Sequence, residues 1–187
     1  MNQDREKNLE EPIGYGDGVE SEAKAHPRDF WTANGSREFG TFPGGVLVAA
    51  PKPTPICLQH GNRTHGALHI ELDHSHWLKR IQMTVAQAVW VKCHQTGLVY
   101  CTEQEDKLKV SITFSPSALL VLRYIEDENP YFRVVTLYYH EGKLDGSPVG
   151  RFNGERHEGE TPVFELQTRS APKVIVKKRR HVPSSTG

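Results

Sequence analysis

From residue 60 onward the chain shows two successive patterns of apolar and polar positions. The first, through residue 94, runs largely on helical spacing. In Thr84–His94, Val85, Ala88 and Val89 share a face with the stem of Lys92, Thr84 stands where a hydroxyl cap is wanted, and Gly97 closes the segment. In His65–Ile81, Trp77, Leu78 and Ile81 form a helical stripe that Asp73 or Ser75 can cap, whereas Leu68–Leu72 alternates. After Gly97 the pattern turns to strand. Leu98–Thr102, Lys109–Phe114, Leu119–Ile125 and Phe132–Tyr139 are rich in β-branched and aromatic residues and are separated by EQEDK, SPS and EDENP. Such short connections favour an antiparallel meander. Val163–Gln167 and Lys173–Val176 are further strand candidates. Helices followed by strands predict an α+β fold: N-terminal helices packed on a roughly four-stranded antiparallel sheet, with flexible N- and C-terminal tails.

The flanks differ from this body. Residues 1–55 hold seven glycines and six prolines, with GYGDG, ANGS, FPGG and PKPTP interrupting any regular element, and predict a largely irregular arm without a core. That leaves 56–167 as the α+β domain and 168–187 as a basic tail. The 23 basic and 23 acidic residues balance only as a sum. Residues 1–25 carry seven acids against three bases, residues 166–187 six bases and no acid, and residues 56–140 eight of each. The body therefore lacks the basic excess of a broad polyanion binder. With 187 residues there is room for one ordinary domain with tails. No apolar run approaches the eighteen or so residues of a membrane span, and the start lacks a signal-peptide layout. Three scattered cysteines do not make a disulfide scaffold, so a soluble, cytoplasmic protein is expected.

The chemistry lies in the histidines. Five of the ten, His60, His65, His69, His74 and His76, fall within seventeen residues. One reading is metal: His65 and His69 share a helical face, and His74 and His76 would share one on a strand. No carboxylate or cysteine completes a known ligand pattern, and neither metal nor cofactor is assigned. The other reading is general acid–base catalysis, for which imidazoles titrating near neutrality are suited. RNA cleavage by its own 2′-hydroxyl needs a base, an acid and donors for the phosphate. Arg80, Arg133, Thr136 and Tyr138 are candidate donors. Alternation along RVVTLYY sends Val134, Thr136 and Tyr138 one way and Arg133, Val135, Leu137 and Tyr139 the other. Taken singly, His60 and His65 read as loop surface beside Gly61 and Gly66, His94 as a helix terminus, and Trp77 and Trp90 as core.

The order of these pieces resembles a known group. A helical segment with HI-x₃-H (His69, Ile70, His74), a second helix, and a meander whose apolar strand Leu119–Leu122 precedes a closing VVTLY (Val134–Tyr138) is similar to the barnase–EndoU–colicin–RelE group of ribonucleases, in its phage and polymorphic-toxin branches. The resemblance covers about residues 60–140. It implies a metal-independent endoribonuclease without cofactors, toxin-like or carried by a phage or mobile element. His69 matches the helix-borne histidine, His74 its companion, Thr136 the hydroxyl of the closing strand, and Tyr138 the residue two further on. Substrate contacts fall to Arg80, Arg133 and His76, with Lys178 and Arg179 of the tail adding phosphate contacts. The implied partners are RNA and a cognate immunity or antitoxin protein. Two alternatives remain open: a non-catalytic protein- or nucleic-acid-binding module using the sheet and the basic tail, and a zinc-binding protein. In a eukaryote the KKRR run also reads as a nuclear address.

Overall fold

The apolar runs after Gly97 do pair as an antiparallel meander, and further strands extend it at both edges. The structure is a computed structural model that describes residues 25–104, 107–142, 144–155 and 159–168. The elements, in order, are β1 (Phe30–Ala33), β2 (Glu38–Phe42), β3 (Thr54–Cys57), α1 (Gly66–Ile81), α2 (Val85–Cys93), β4 (Thr96–Gln104), β5 (Lys107–Phe114), β6 (Ala118–Ile125), β7 (Tyr131–Tyr138), β8 (Gly150–Asn153) and β9 (Phe164–Gln167). Seven strands form one sheet in the order β2-β3-β7-β6-β5-β4-β8, and β1 pairs with β9 in a small second sheet. The fold is thus α+β, but the expected four-stranded antiparallel sheet is corrected to a mixed sheet of seven. β3 runs parallel to β7, pairing Ile56 with Phe132 and Cys57 with Arg133.

Segment 25–55 is not peripheral. It supplies β1, β2 and the start of β3, and its Phe39 and Phe42 are fully buried. Turn residues interrupt the segment, yet they leave short apolar stretches that pair with distant strands. The long sheet curls until its edges approach: Phe42 on β2 packs 4.5 Å from Phe132 on β7 and 6.3 Å from Phe152 on β8, centroid to centroid. The inner face of the curl holds Val99, Val110, Ile112, Leu120, Leu122, Val134 and Leu137, all withdrawn from water. Each such burial contributes about 1.5–3 kcal/mol.

α2 follows its sequence signals. Thr84 accepts from the Gln87 backbone N–H while the Gln87 side chain accepts from the Thr84 N–H, a reciprocal cap. Its C-cap is His94, and Gly97 lies inside β4 rather than closing the helix. Lys92 is buried by its stem, and its Nζ donates to the Gln95 side chain and the Pro116 carbonyl.

α1 departs from expectation at both ends of its first half. It begins at Gly66 with His65 at the N-cap, not at Asp73 or Ser75, so the alternation of 68–72 is overridden. Two glycines make this start feasible. Gly61 (φ +77°) and Gly66 (φ +82°) lie back to back in left-handed conformations, and a Cβ on Gly61 would sit 2.0 Å from the His65 carbonyl oxygen. α1 then packs against β7 and α2. Since β3 reaches only Phe132 and Arg133, the C-terminal half of β7 is left for the helix. The strand expected at 173–176, and the tail residues Lys178 and Arg179, lie outside the described residues.

Candidate functional site

The site is built on the outer face of β6 and β7. Thr136 pairs with Val121 while Val134 pairs with Leu122, so Val135 is an extra residue, a bulge on β7. Directly opposed residues share a face. Leu120 with Leu137, Leu122 with Val134 and Tyr124 with Phe132 therefore look into the core, while Leu119 with Tyr138, Val121 with Thr136 and Arg123 with Arg133 look outward. Burial agrees: Phe132, Val134 and Leu137 are all inaccessible. This corrects the uninterrupted alternation expected for RVVTLYY. The bulge puts Arg133 on the same face as Thr136 and Tyr138 and sends Val134 to the core.

α1 brings its histidines to this face through a break in its own geometry. Positions 69 and 74 on a regular helix point about 140° apart. His74, however, has non-helical torsions (φ −124°, ψ 16°), and the helix kinks there. As a result the His69 and His74 rings meet edge to face at 5.8 Å, and His74 lies nearly parallel to Tyr138 at 5.0 Å and 24°. His140 continues the row, edge-on to Tyr138 at 6.3 Å. The Asp73 carboxylate approaches His69 Nδ1 to 3.0 Å, off the line of a hydrogen bond.

Polar atoms without partners collect here. The Thr136 hydroxyl, Arg133 Nε, Arg123 Nε and His140 Nε2 are buried and make no hydrogen bond among the described residues. A buried donor or acceptor in that state costs about 1–3 kcal/mol. Arg123 and Arg133 also stand directly opposite each other, a like-charge pairing that disfavours the strand contact. An anion lying between them would relieve both costs.

The imidazoles respond to these surroundings. Burial, followed by the neighbouring His69, pushes His74 below the usual histidine range, with Asp73 opposing the shift. His65 is lowered by burial, then by Arg133, Arg123 and His69. Both are therefore neutral at neutral pH, available to accept a proton. Burial also lowers Arg133, with Tyr131 opposing and Arg123 reinforcing the effect.

Of the residues singled out from sequence, His69, His74 and Tyr138 meet, and Thr136 and Arg133 lie on the same face of β7 as Tyr138. Arg80 does not join them: its guanidinium covers the ring of Tyr139, 4.7 Å away, one residue past the end of β7. His76 is exposed on the second half of α1, outside the row of rings. Sequence reasoning missed His65, Arg123 and His140. His65, read as loop surface, is half-buried and faces the arginine pair. The signal for Arg123 was the hairpin register, since pairing Ile125 with Tyr131 across EDENP already sets Arg123 against Arg133.

Beyond His65 and Arg133 the face opens into a cleft of about 1190 Å³ between β1 and β7. No group of three or more His, Cys, Asp or Glu side chains among the described residues is arranged to hold a metal ion, so the zinc alternative has no donor set there. Among the described residues no helix is long and apolar enough to cross a membrane. Comparison of the chain with protein-family models, with curated proteins and with solved structures finds no match.

Proposed function

We propose that this protein is an endoribonuclease that cleaves RNA by histidine acid–base catalysis, the substrate's own 2′-hydroxyl attacking the adjacent phosphate. The observation that carries this reading is the meeting of His69, His74 and Tyr138 in one row of rings over the strand face that carries the Thr136 hydroxyl and the Arg133 guanidinium. Two imidazoles at this separation can reach the two ends of one phosphodiester. His74, held neutral, takes the 2′-hydroxyl proton as the bond from 2′-oxygen to phosphorus forms. His69, with the Asp73 carboxylate behind it, delivers a proton to the 5′-oxygen as the bond from phosphorus to that oxygen breaks. The products are a 2′,3′-cyclic phosphate and a free 5′-hydroxyl. Arg133 and Arg123 offset the charge that grows on the phosphorane, and Thr136 donates to a non-bridging oxygen. Tyr138, stacked on His74, fixes the plane of the base.

The resemblance to the barnase–EndoU–colicin–RelE group supports the same reading, because His74 lies over Tyr138 on the strand face that also carries the Thr136 hydroxyl. A cytoplasmic enzyme of this kind meets host RNA directly, which is the setting for a toxin-like role and a cognate inhibitor. The test is incubation of the purified full chain with single-stranded RNA in EDTA. Fragments ending in 2′,3′-cyclic phosphate are expected, at a rate 10²–10⁴-fold lower in His74→Ala. Intact RNA across a broad set of substrates, or cleavage abolished by EDTA, overturns the proposal.

A further inference from the structure

We infer that the cleft between β1 and β7 is a subsite for an unstacked nucleotide flanking the cut, so that the preferred substrate is single-stranded RNA longer than a dinucleotide. This deepens the ribonuclease reading and rests on it for the identity of the polymer. The cleft shares two walls with the site already described, His65 and Arg133, so a chain whose phosphate lies at Arg133 runs into it without a gap. Its far wall is aromatic: Phe30 on β1 and Tyr131 on β7 meet edge to face at 5.7 Å, and Arg37 lies 4.9 Å over the Phe30 ring. Rings and a guanidinium plane are what an unstacked base lies against, and they tolerate any base because every base has a π-face.

The rest of the lining fits a base better than a second phosphate. Glu38 stands beside Arg37 in the same cleft, and a carboxylate there repels phosphate but accepts from an exocyclic amine. A purely cationic groove would serve the backbone alone. The subsite also gives a purpose to the two-stranded sheet, because β1, paired with β9, is what carries Phe30 to face Tyr131. Paired bases keep their faces stacked on their neighbours and present only their edges to such a wall, so duplex RNA is excluded from the cleft.

Fluorescently labelled 2′-O-methyl oligonucleotides, which lack the attacking hydroxyl, separate binding from cleavage. For the full chain, affinity is expected to rise about tenfold from two to four nucleotides, the scale of one stacked base. That step should fall below twofold in Tyr131→Ala and survive in Tyr131→Phe. Proton NMR of the unmodified protein gives a readout free of folding effects: the tetranucleotide should shift the ring signals of Phe30 and Tyr131. No length step, ring signals that stay in place, or a matched duplex binding as well as the single strand each overturn the cleft assignment. RNA cleaved without a length step removes the cleft and leaves the nuclease reading. A length step in a protein that cleaves no RNA removes the nuclease reading and leaves a nucleotide-binding cleft.

Discussion

α1 and α2 are consecutive helices built to opposite standards. In α2 the local signals agree: a reciprocal cap at Thr84, regular helical torsions throughout, and a buried face of Val85, Ala86, Ala88, Val89 and Cys93. In α1 the rules conflict. Its N-cap His65 makes no capping bond through its side chain, its first residue has a left-handed backbone, and His74 breaks the helix in the middle. Apolar residues on its inner side, Ile70 and Leu78, hold it in place nonetheless. Local consistency marks the element that only supports the fold, and local conflict marks the one on which the proposed chemistry rests. The kink costs helical regularity and returns two imidazoles on one side.

The widest separation between the helices should appear in catalysis. His74→Ala and His69→Ala are expected to lower RNA cleavage by 10²–10⁴-fold while leaving Tm within a few degrees. Val89→Ala in α2 should do the reverse, with a loss of about 2 kcal/mol in stability and an unchanged rate per folded molecule. Single-turnover kinetics alongside thermal melts separate the two. A folded His74→Ala protein cleaving at the original rate would erase the distinction.

The next effect is on the entry to α1. Gly61→Ala places a methyl group against the His65 carbonyl at a left-handed position, and should cost on the order of 2 kcal/mol. Because the clash is with His65 itself, cleavage should fall along with Tm. A melt that shifts while kcat and KM hold would show that the turn is structural only.

How far this contrast could be read beforehand follows from the range of each interaction. α2 and the strands β4 to β7 are written in local terms: periodicity, a cap, and turn residues at the right intervals. β2 and β3 were hidden because strands of four or five residues, broken by glycine or proline, carry no local signal; β3 is made a strand by pairing with the distant β7, and β2 by pairing with β3. In the site, the histidine density and the Thr136–Tyr138 pair were legible. The bulge at Val135 was not, since it arises from the pairing of two strands rather than from the composition of either. That one extra residue decides whether Arg133 faces the core or the histidines.

A smaller effect sharpens the other side of the comparison. Thr84→Ala removes the side-chain half of the α2 cap, and a loss of about 1 kcal/mol in urea unfolding is expected. Cleavage should not change. A rate that falls with this cap would mean that α2 takes part in aligning α1, and the two helices would no longer divide fold from chemistry.

The smallest effect is one of pH, and it should be confined to α1. His74 lies against His69, Asp73 and Tyr138, and His65 against Arg133, Arg123 and His69, with both imidazoles lowered. In the unfolded chain both return to about 6.5. As pH falls below that value the unfolded state takes up protons first, so stability is lost as pH drops and recovered as it rises. Partial exposure of both rings keeps the effect modest. Melts from pH 7.5 to 5 should therefore show a shallower fall in His74→Asn than in the unmodified chain. The acid limb of cleavage should lie below the ordinary histidine value, because the base stays neutral until then. Identical pH slopes in the two proteins would mean that His74 titrates as a solvated surface group. The kink would then have no role in tuning the base.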